Sequence, residues 1–431
     1  MKSFHIIVLG IFIFLAVAGL LAFTLLGGVG KGSAIGKVLV WGTLPQEAMN
    51  DTLSDIRGLR SDFEDVVYVE KDATTYDRDL IEALAAGKGP DLFLLRQDDI
   101  LRYADKTIRI PYANFSKRAF QDAFIEEGEL YLTNEGSVGI PFVVDPLVMY
   151  WNRDLFSTAG VSKPPQYWDE FLTLAPRLTT RTPSNTITRS AVALGEYANI
   201  PNAKELISAL FMQAGTPIVA TLPDGMLRSV LADKFDLPLP PAESSMNFYT
   251  EFSNPSKAAY SWNRALPNAR DAFAAGDLAM YFGFASELPV IRNANANLNF
   301  AVAIIPQVRD NKTASTFGRL YAFAVSKSAV NVQGAANAAL ALSGDVALSK
   351  FIVYSVLPPV SRTLLGQTPP ESYQGVFYQS ALIARGWLDP DPTKTNNIFK
   401  TMVEDITSGR ERLGEAVSSA SGELESALRS R

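Results

Sequence analysis

Gly139-Ile-Pro-Phe-Val-Val-Asp-Pro-Leu-Val-Met-Tyr-Trp-Asn-Arg-Asp-Leu-Phe156 runs directly into Ser157-Thr-Ala-Gly-Val-Ser-Lys-Pro-Pro-Gln-Tyr-Trp-Asp-Glu-Phe171. The first half is an extended apolar segment, interrupted only by Asp145, that ends in aromatics. An Asn-Arg-Asp turn, a short helix and a Pro-Pro pair follow. Trp168-Asp-Glu-Phe171 then starts a new helix.

Upstream the pattern is regular. Lys37 to Trp41 reads as a short buried strand, and Met49, Leu53, Ile56, Leu59 and Phe63 recur at helical spacing on one face. Val66 to Val69 is a strand. Asp77 to Ala86 is a helix closed by Gly87, and Pro90 to Leu95 is a third strand. Strand and helix alternating in this way predict a parallel α/β sheet. Such sheets bind ligands at the carboxyl ends of their strands. That puts Trp41, Gly42, Thr43 and the loop after Leu95 at a candidate cleft. Downstream, helices are expected over 168–178, 203–214, 268–275, 335–342, 347–357 and 395–406, and strands over 278–282, 300–305 and 321–326. Residues 217–245 are rich in proline and read as loop. Arg410 to Arg431 reads as a surface helix.

The quoted stretch resembles the crossover region of the extracellular solute-binding proteins of ABC importers, the maltose-binding-like family. Three more segments match in order and spacing. Arg270-Asp-Ala-Phe-Ala-Ala-Gly-Asp-Leu-Ala-Met-Tyr-Phe-Gly-Phe-Ala-Ser286 is similar to a family signature whose final Gly and aromatic project into the ligand cleft. Gly318 to Ser328 is similar to the strand that returns the chain to its first lobe. Ile398 to Gly409, with Ala416 beyond, resembles the family's C-terminal helices. The resemblance covers about 38 to 425. It implies a type II, two-lobed periplasmic-binding-protein-like α/β fold, with lobe one over 37–143 and 318–372 and lobe two over 146–316 and 376–431. It also implies capture of a small ligand, with carbohydrate favoured, and delivery to an ABC permease. No catalysis and no cofactor are expected.

Composition narrows the alternatives. The chain has 431 residues, which suggests two or three domains. A net charge of −6 argues against nucleic acid as partner. Cysteine is absent, which removes disulfides, thiol nucleophiles, zinc–thiolate sites and the residue that would carry a lipoprotein anchor. The one histidine, His5, lies in the N-terminal apolar run, so no histidine base or Ser-His-Asp triad exists in the rest of the chain. Carboxylate, Lys or Tyr chemistry is the remaining enzymatic route.

Phe4 to Leu26 carries no formal charge. A helix of that length crosses a hydrocarbon core of roughly 30 Å. An uncleaved transmembrane anchor is expected over 4–26, contacting the lipid bilayer, with a cleaved signal peptide as the alternative. Gly27 to Gly36 reads as a flexible linker. The placement of the soluble part on the extracytoplasmic face rests on the resemblance, because Lys2 on one side and Lys31 and Lys37 on the other leave the charge rule undecided.

Sugars are held by stacking on aromatic rings and by hydrogen bonds to Asp, Glu, Asn and Arg. The candidate ligand-binding residues are Trp41, Thr43, Asp145, Tyr150, Trp262, Phe284, Glu287, Arg319, Tyr321 and Arg362. Against that, Tyr150 and Tyr321 lie in apolar strands and read equally as core, and Asp145 beside Pro146 reads equally as a hinge residue. Asp91 fits either a cleft or a helix-to-strand turn. Asp389-Pro-Asp-Pro-Thr-Lys394 has alternating acids, but Lys394 stands where a calcium loop needs glycine, so no metal is expected. Two other function classes stay open: a carboxylate-dependent glycosidase, and a sensor or scaffold that has lost its ligand.

Overall fold

A computed structural model describes residues 35–309, 313–367, 369 and 372–430. The expected anchor at residues 4–26 lies outside them. Among the described residues no single helix is long and apolar enough to cross a membrane.

The elements that position the site are β1 (Val38–Gly42), α1 (Gln46–Arg57), β2 (Val66–Glu70), α2 (Tyr76–Ala85), β3 (Leu92–Arg96), β4 (Ile140–Asn152), β5 (Ile187–Val192), α3 (Ala203–Gln213), β6 (Leu278–Phe284), β7 (Phe300–Ile304), β8 (Thr316–Ser326), α4 (Pro392–Ser408) and α5 (Leu413–Arg429). One sheet runs β2-β1-β3-β8-β4-β6-β5, ending on the short strand Thr180–Arg181, with β7 pairing β4 as a branch. β1 is parallel to β2 and β3, as the strand–helix alternation requires. β3 is an almost unbroken apolar run, buried on both faces.

β4 and β8 organise the molecule. β4 has thirteen residues and, at about 3.3 Å per residue, extends roughly 40 Å, too far for one layer of core. It pairs antiparallel with β8, with Asp145 opposite Arg319 and Pro146 opposite Gly318; a register shift falls between Tyr321 and Ala322, beside Pro141. Two separate apolar cores form along this pair. One takes β4 up to Val144 and β8 from Leu320, with β1–β3. The other takes β4 from Leu147 and β8 up to Phe317, with β5, β6, α3, α4 and α5. The chain passes between the cores a third time near Ala384, which belongs to the first, and Trp387, which belongs to the second.

Several local expectations are revised. α1 stops at Arg57 before Gly58, so Leu59 turns outward and is 61% exposed, while Phe63 is buried through its own turn at Ser61–Phe63. Residues 217–245 contain a hairpin, Val219–Thr221 against Leu227–Ser229, and the helix Pro241–Glu251 begins within them. The Ser229 N–H donates to the Glu425 carboxylate at 2.8 Å, which ties this hairpin to α5. α5 itself is amphipathic, burying Ala416, Val417, Ala420 and Leu424.

Candidate functional site

The carboxyl ends of β1 and β3 open into a cavity of about 200 Å³. Thr43, just past β1, forms one wall. Tyr76 and Asp77 of the first turn of α2 form another, and Arg96, Asp99 and Tyr103 close it from the β3 side. Arg319 and Tyr321 complete it from β8. They are two residues apart in a strand and so share a face, while Leu320 between them is buried on the other.

These side chains hold one another in place. The Tyr76 hydroxyl donates to the Leu94 carbonyl at 3.0 Å. The Tyr103 hydroxyl donates to Asp77 at 3.0 Å, and Arg102 pairs with the same carboxylate at 2.6 Å. Arg96 reaches Asp98 at 3.1 Å and Asp99 at 3.3 Å. Burial pushes the Asp99 carboxyl up to about 7; Asp98 adds to the effect and Arg96 opposes it. Arg319 pairs with Glu205, in the first turn of α3, at 2.6 Å. Burial alone would raise Glu205, but Arg319 outweighs it and keeps the carboxylate below its ordinary range. Arg319 also lies 3.7 Å over the Phe284 ring. One guanidinium therefore joins the cavity, the β4–β8 seam and lobe two.

Of the ten sequence candidates, the cavity brings together Thr43, Arg319 and Tyr321. Asp145 lies across the seam from Arg319, almost fully buried, and accepts the Ser286 N–H at 2.9 Å. Burial pushes its carboxyl up to about 6, although Ser286 and Arg319 pull it down. Trp41 is half-buried, with the Lys71 ammonium 3.7 Å from its ring centre, and is outside the cavity lining.

The other five serve the packing. Tyr150 is fully buried and donates to the Phe284 carbonyl at 2.7 Å; Phe284 is fully buried as well. Trp262 is 1% exposed and donates through Nε1 to Asn199 at 3.1 Å. It borders a separate cavity of about 310 Å³ beside Ile187 and Ala272. Glu287 accepts from Tyr281 at 2.6 Å, Asn202 at 2.7 Å and the Phe284 N–H at 2.9 Å, which leaves it little capacity for a ligand. Arg362 donates to the Phe124 carbonyl at 2.6 Å and fastens one helix end to another. Asp91 is also structural, accepting the Leu39 and Val330 N–H groups at 2.9 and 2.8 Å. Asp389 pairs with Lys204 at 2.5 Å, and Asp391 caps α4. Among the described residues no carboxylate or histidine group is arranged to hold a metal ion.

Sequence reasoning missed Tyr76, Asp77, Arg96, Asp99 and Tyr103. The signal was available for two of them: Arg96 and Asp99 lie at and just after the end of β3, in the loop placed at the cleft.

The sequence model of the bacterial extracellular solute-binding proteins matches residues 64–342. A Brucella abortus chain named only as a binding protein is 30% identical over 88 residues, 20% of this chain and 21% of that one; the match thus spans about a fifth of the relative's length. Among solved structures, a cyclo/maltodextrin-binding protein complexed with maltotetraose superposes with a TM-score of 0.73 at 16% identity, covering 92% of this chain and 98% of the other. The Thermus thermophilus maltotriose-binding protein gives 0.67 at 18%, covering 91% and 100%. An ABC substrate-binding protein of Listeria monocytogenes in complex with cycloalternan gives 0.68 at 16%, covering 91% and 99%. At these identities the likeness is one of fold: two mixed α/β lobes.

Proposed function

The chain belongs to the bacterial extracellular solute-binding protein family, and from that premise we propose that it captures a small carbohydrate or one end of an oligosaccharide in the cavity beside the β4–β8 seam. As a member of a binding family it is not an enzyme, and the glycosidase alternative falls away.

The observation that carries the ligand class is the make-up of the cavity wall. Thr43, Asp77, Arg96, Asp99 and Arg319 supply hydroxyl, carboxylate and guanidinium groups, while Tyr76, Tyr103 and Tyr321 supply ring faces and edges. Acceptors and donors alternating over short distances suit a ligand that is dense in hydroxyls, and rings suit the C–H faces of a pyranose. At about 200 Å³ the space is below the ~300–1,000 Å³ of drug-sized sites, which favours a small or end-on ligand. The superposing structures are complexes with maltotetraose, maltotriose and cycloalternan, which supports the same class. An intact, ring-lined cavity argues against a scaffold that has lost its ligand.

The uncharged run Phe4 to Leu26 supports a transmembrane anchor, and membership of the family supports lobes on the extracytoplasmic face and an ABC permease as the receiver of the ligand. Thermal unfolding of the full chain with maltotriose, glucose, glycine and a tripeptide tests the ligand class. Saturating sugar at a hundredfold excess over Kd stabilises by about 2.7 kcal/mol. A shift with glycine or the tripeptide and none with either sugar would overturn the carbohydrate reading. Protease protection of lobe epitopes in intact cells tests the orientation.

A further inference from the structure

Glu127 is 2% exposed, and among the described residues neither carboxylate oxygen has a hydrogen-bond partner. Buried carboxyl groups are nearly always paired, so this one calls for an explanation. It sits in the turn Glu126–Tyr131 of lobe one, pressed against two of the three passages between the lobes. On one side is Gly318 of β8, where an added Cβ would collide with Oε2 of Glu127. On the other is Gly386, between Ala384 and Trp387, where an added Cβ would come within 2.7 Å of Oε1. Gln97 grips the same stretch of β8, donating to the Gly318 carbonyl at 3.0 Å and accepting the Leu320 N–H at 2.8 Å. The carboxyl thus sits between two interlobe passages, each bare of side chain where it meets Glu127.

We propose that Glu127 is a proton-operated wedge of the interlobe hinge: neutral, it packs between the two passages and the lobes close; ionised, it parts them to reach water.

The charges around it favour this. Burial pushes its carboxyl up to about 8; Arg385 works against the shift and Asp98 adds to it. Arg385 is already engaged, donating to Glu126 at 2.5 Å, and Asp98 is held by Arg96. Tyr131 of the same turn bonds backbone carbonyls, 2.7 Å from that of Leu95 and 2.9 Å from that of Leu320. On β8 the neighbouring charge, Arg319, is paired with Glu205. Lys117, Arg118 and Asp122, on the helix packed against the turn, are all exposed. Among the described residues no full counter-charge remains for an ionised Glu127. A hydrated carboxyl in an opened hinge has its ordinary value, so the closed form holds the extra proton. Opening then becomes easier as pH rises from about 4.5 toward about 8 and levels off above. With one proton involved, the open-to-closed ratio rises by up to about tenfold per pH unit across that window.

The chain has no cysteine, so a donor–acceptor dye pair can be attached at Val346→Cys in lobe one and Asn297→Cys in lobe two of the full-length protein. Energy transfer is recorded from pH 5 to pH 9 without ligand. The proposal requires the closed population to fall with rising pH, and Glu127→Gln, which keeps shape but cannot ionise, to flatten the profile. Arg385→Gln removes the facing cation and must move the pH at which the response levels off upward; it also decides the matter if the Glu127 variant does not fold. A wild-type profile flat between pH 5 and 8, a full pH response in Glu127→Gln, or an unmoved levelling-off pH in Arg385→Gln each overturns it.

Discussion

The two lobes treat the aromatic residues at their strand ends in opposite ways. In lobe two, Phe282 and Phe284 at the end of β6 are sealed in the core, and Trp262 after the Pro241–Glu251 helix is 1% exposed, with a cavity at its border that is away from these strand ends. Trp168 lies 5.3 Å from Phe282, and Phe248 packs against Trp168 in turn. In lobe one, the corresponding ends of β1 and β3 meet the start of α2, the short helix Ile100–Tyr103 and the Arg319–Tyr321 stretch of β8. A cavity survives there, with Tyr76, Tyr103 and Tyr321 among charges. An aromatic residue at a strand end is therefore not evidence of a cleft. What decides is whether a further layer of chain covers it, and lobe two has the larger insertion between its strands β5 and β6.

The sharpest break of this contrast is Trp262→Ala. If the ring is core, removing it costs about 3–5 kcal/mol of stability, the range for large-to-small core changes, and leaves the affinity of the folded fraction for maltotriose unchanged. Chemical denaturation beside calorimetric titration separates the two readouts. An unaltered midpoint with lost binding would return Trp262 to the ligand site.

Asp145 tests the seam that both lobes share. Its carboxyl is raised to about 6 in the folded state and has its ordinary value near 3.8 when unfolded. The folded state thus holds the extra proton between those values. Stability from this group is full below about pH 4 and declines by roughly 3 kcal/mol as pH rises to about 6. Asp145→Asn keeps an acceptor for Ser286 and removes the slope. The difference between wild type and variant in urea midpoints from pH 4 to pH 7 measures it.

Next in size is Arg319→Met. Glu205 loses its partner at 2.6 Å and the cavity loses a donor. Because both groups retain some contact with solvent, the loss of stability is about 1–3 kcal/mol, below that of a fully buried pair. Affinity for the bound sugar falls about tenfold or more, since a hydrogen bond to a charged group contributes roughly 1.5–3 kcal/mol. Glu205→Gln alone should affect stability more than affinity, because Glu205 is outside the cavity wall.

Much of the architecture was legible in the residues. The Gly139–Phe156 run reads as an extended apolar segment from its own residues, and its role as the crossing strand comes from the family resemblance. β1–β3 followed from short apolar runs between amphipathic helices. The site was less legible, for a physical reason. Ligand contact depends on which faces the third dimension leaves uncovered, and burial of Tyr150 or Trp262 is decided by segments more than a hundred residues away or by the fit of neighbouring helices. Charge told more than aromaticity: Arg319 cannot be sealed without a partner, so its position in an apolar strand already marked a polar opening. The same logic applied to Arg96, at the end of β3, would have found the other wall.

Trp41 gives the smallest and most discriminating test, because it sits between the two classes. It is the penultimate residue of β1, two before Thr43, yet its ring is half-buried against the lobe-one core, and Lys71 covers one face at 3.7 Å. A cation over an exposed indole contributes about 0.5–1 kcal/mol, and truncating a half-buried ring adds the loss of part of its apolar contact. Trp41→Ala should therefore lower stability by about 1–2 kcal/mol and change affinity by less than threefold. Lys71→Met separates the parts: it removes the cation, keeps the ring, and should cost no more than about 1 kcal/mol. If Trp41→Ala instead abolishes sugar binding while Lys71→Met strengthens it, Lys71 is a lid over a stacking platform and the ligand displaces it. The ring would then belong to the site, and lobe one would use a strand-end tryptophan in the way lobe two does not.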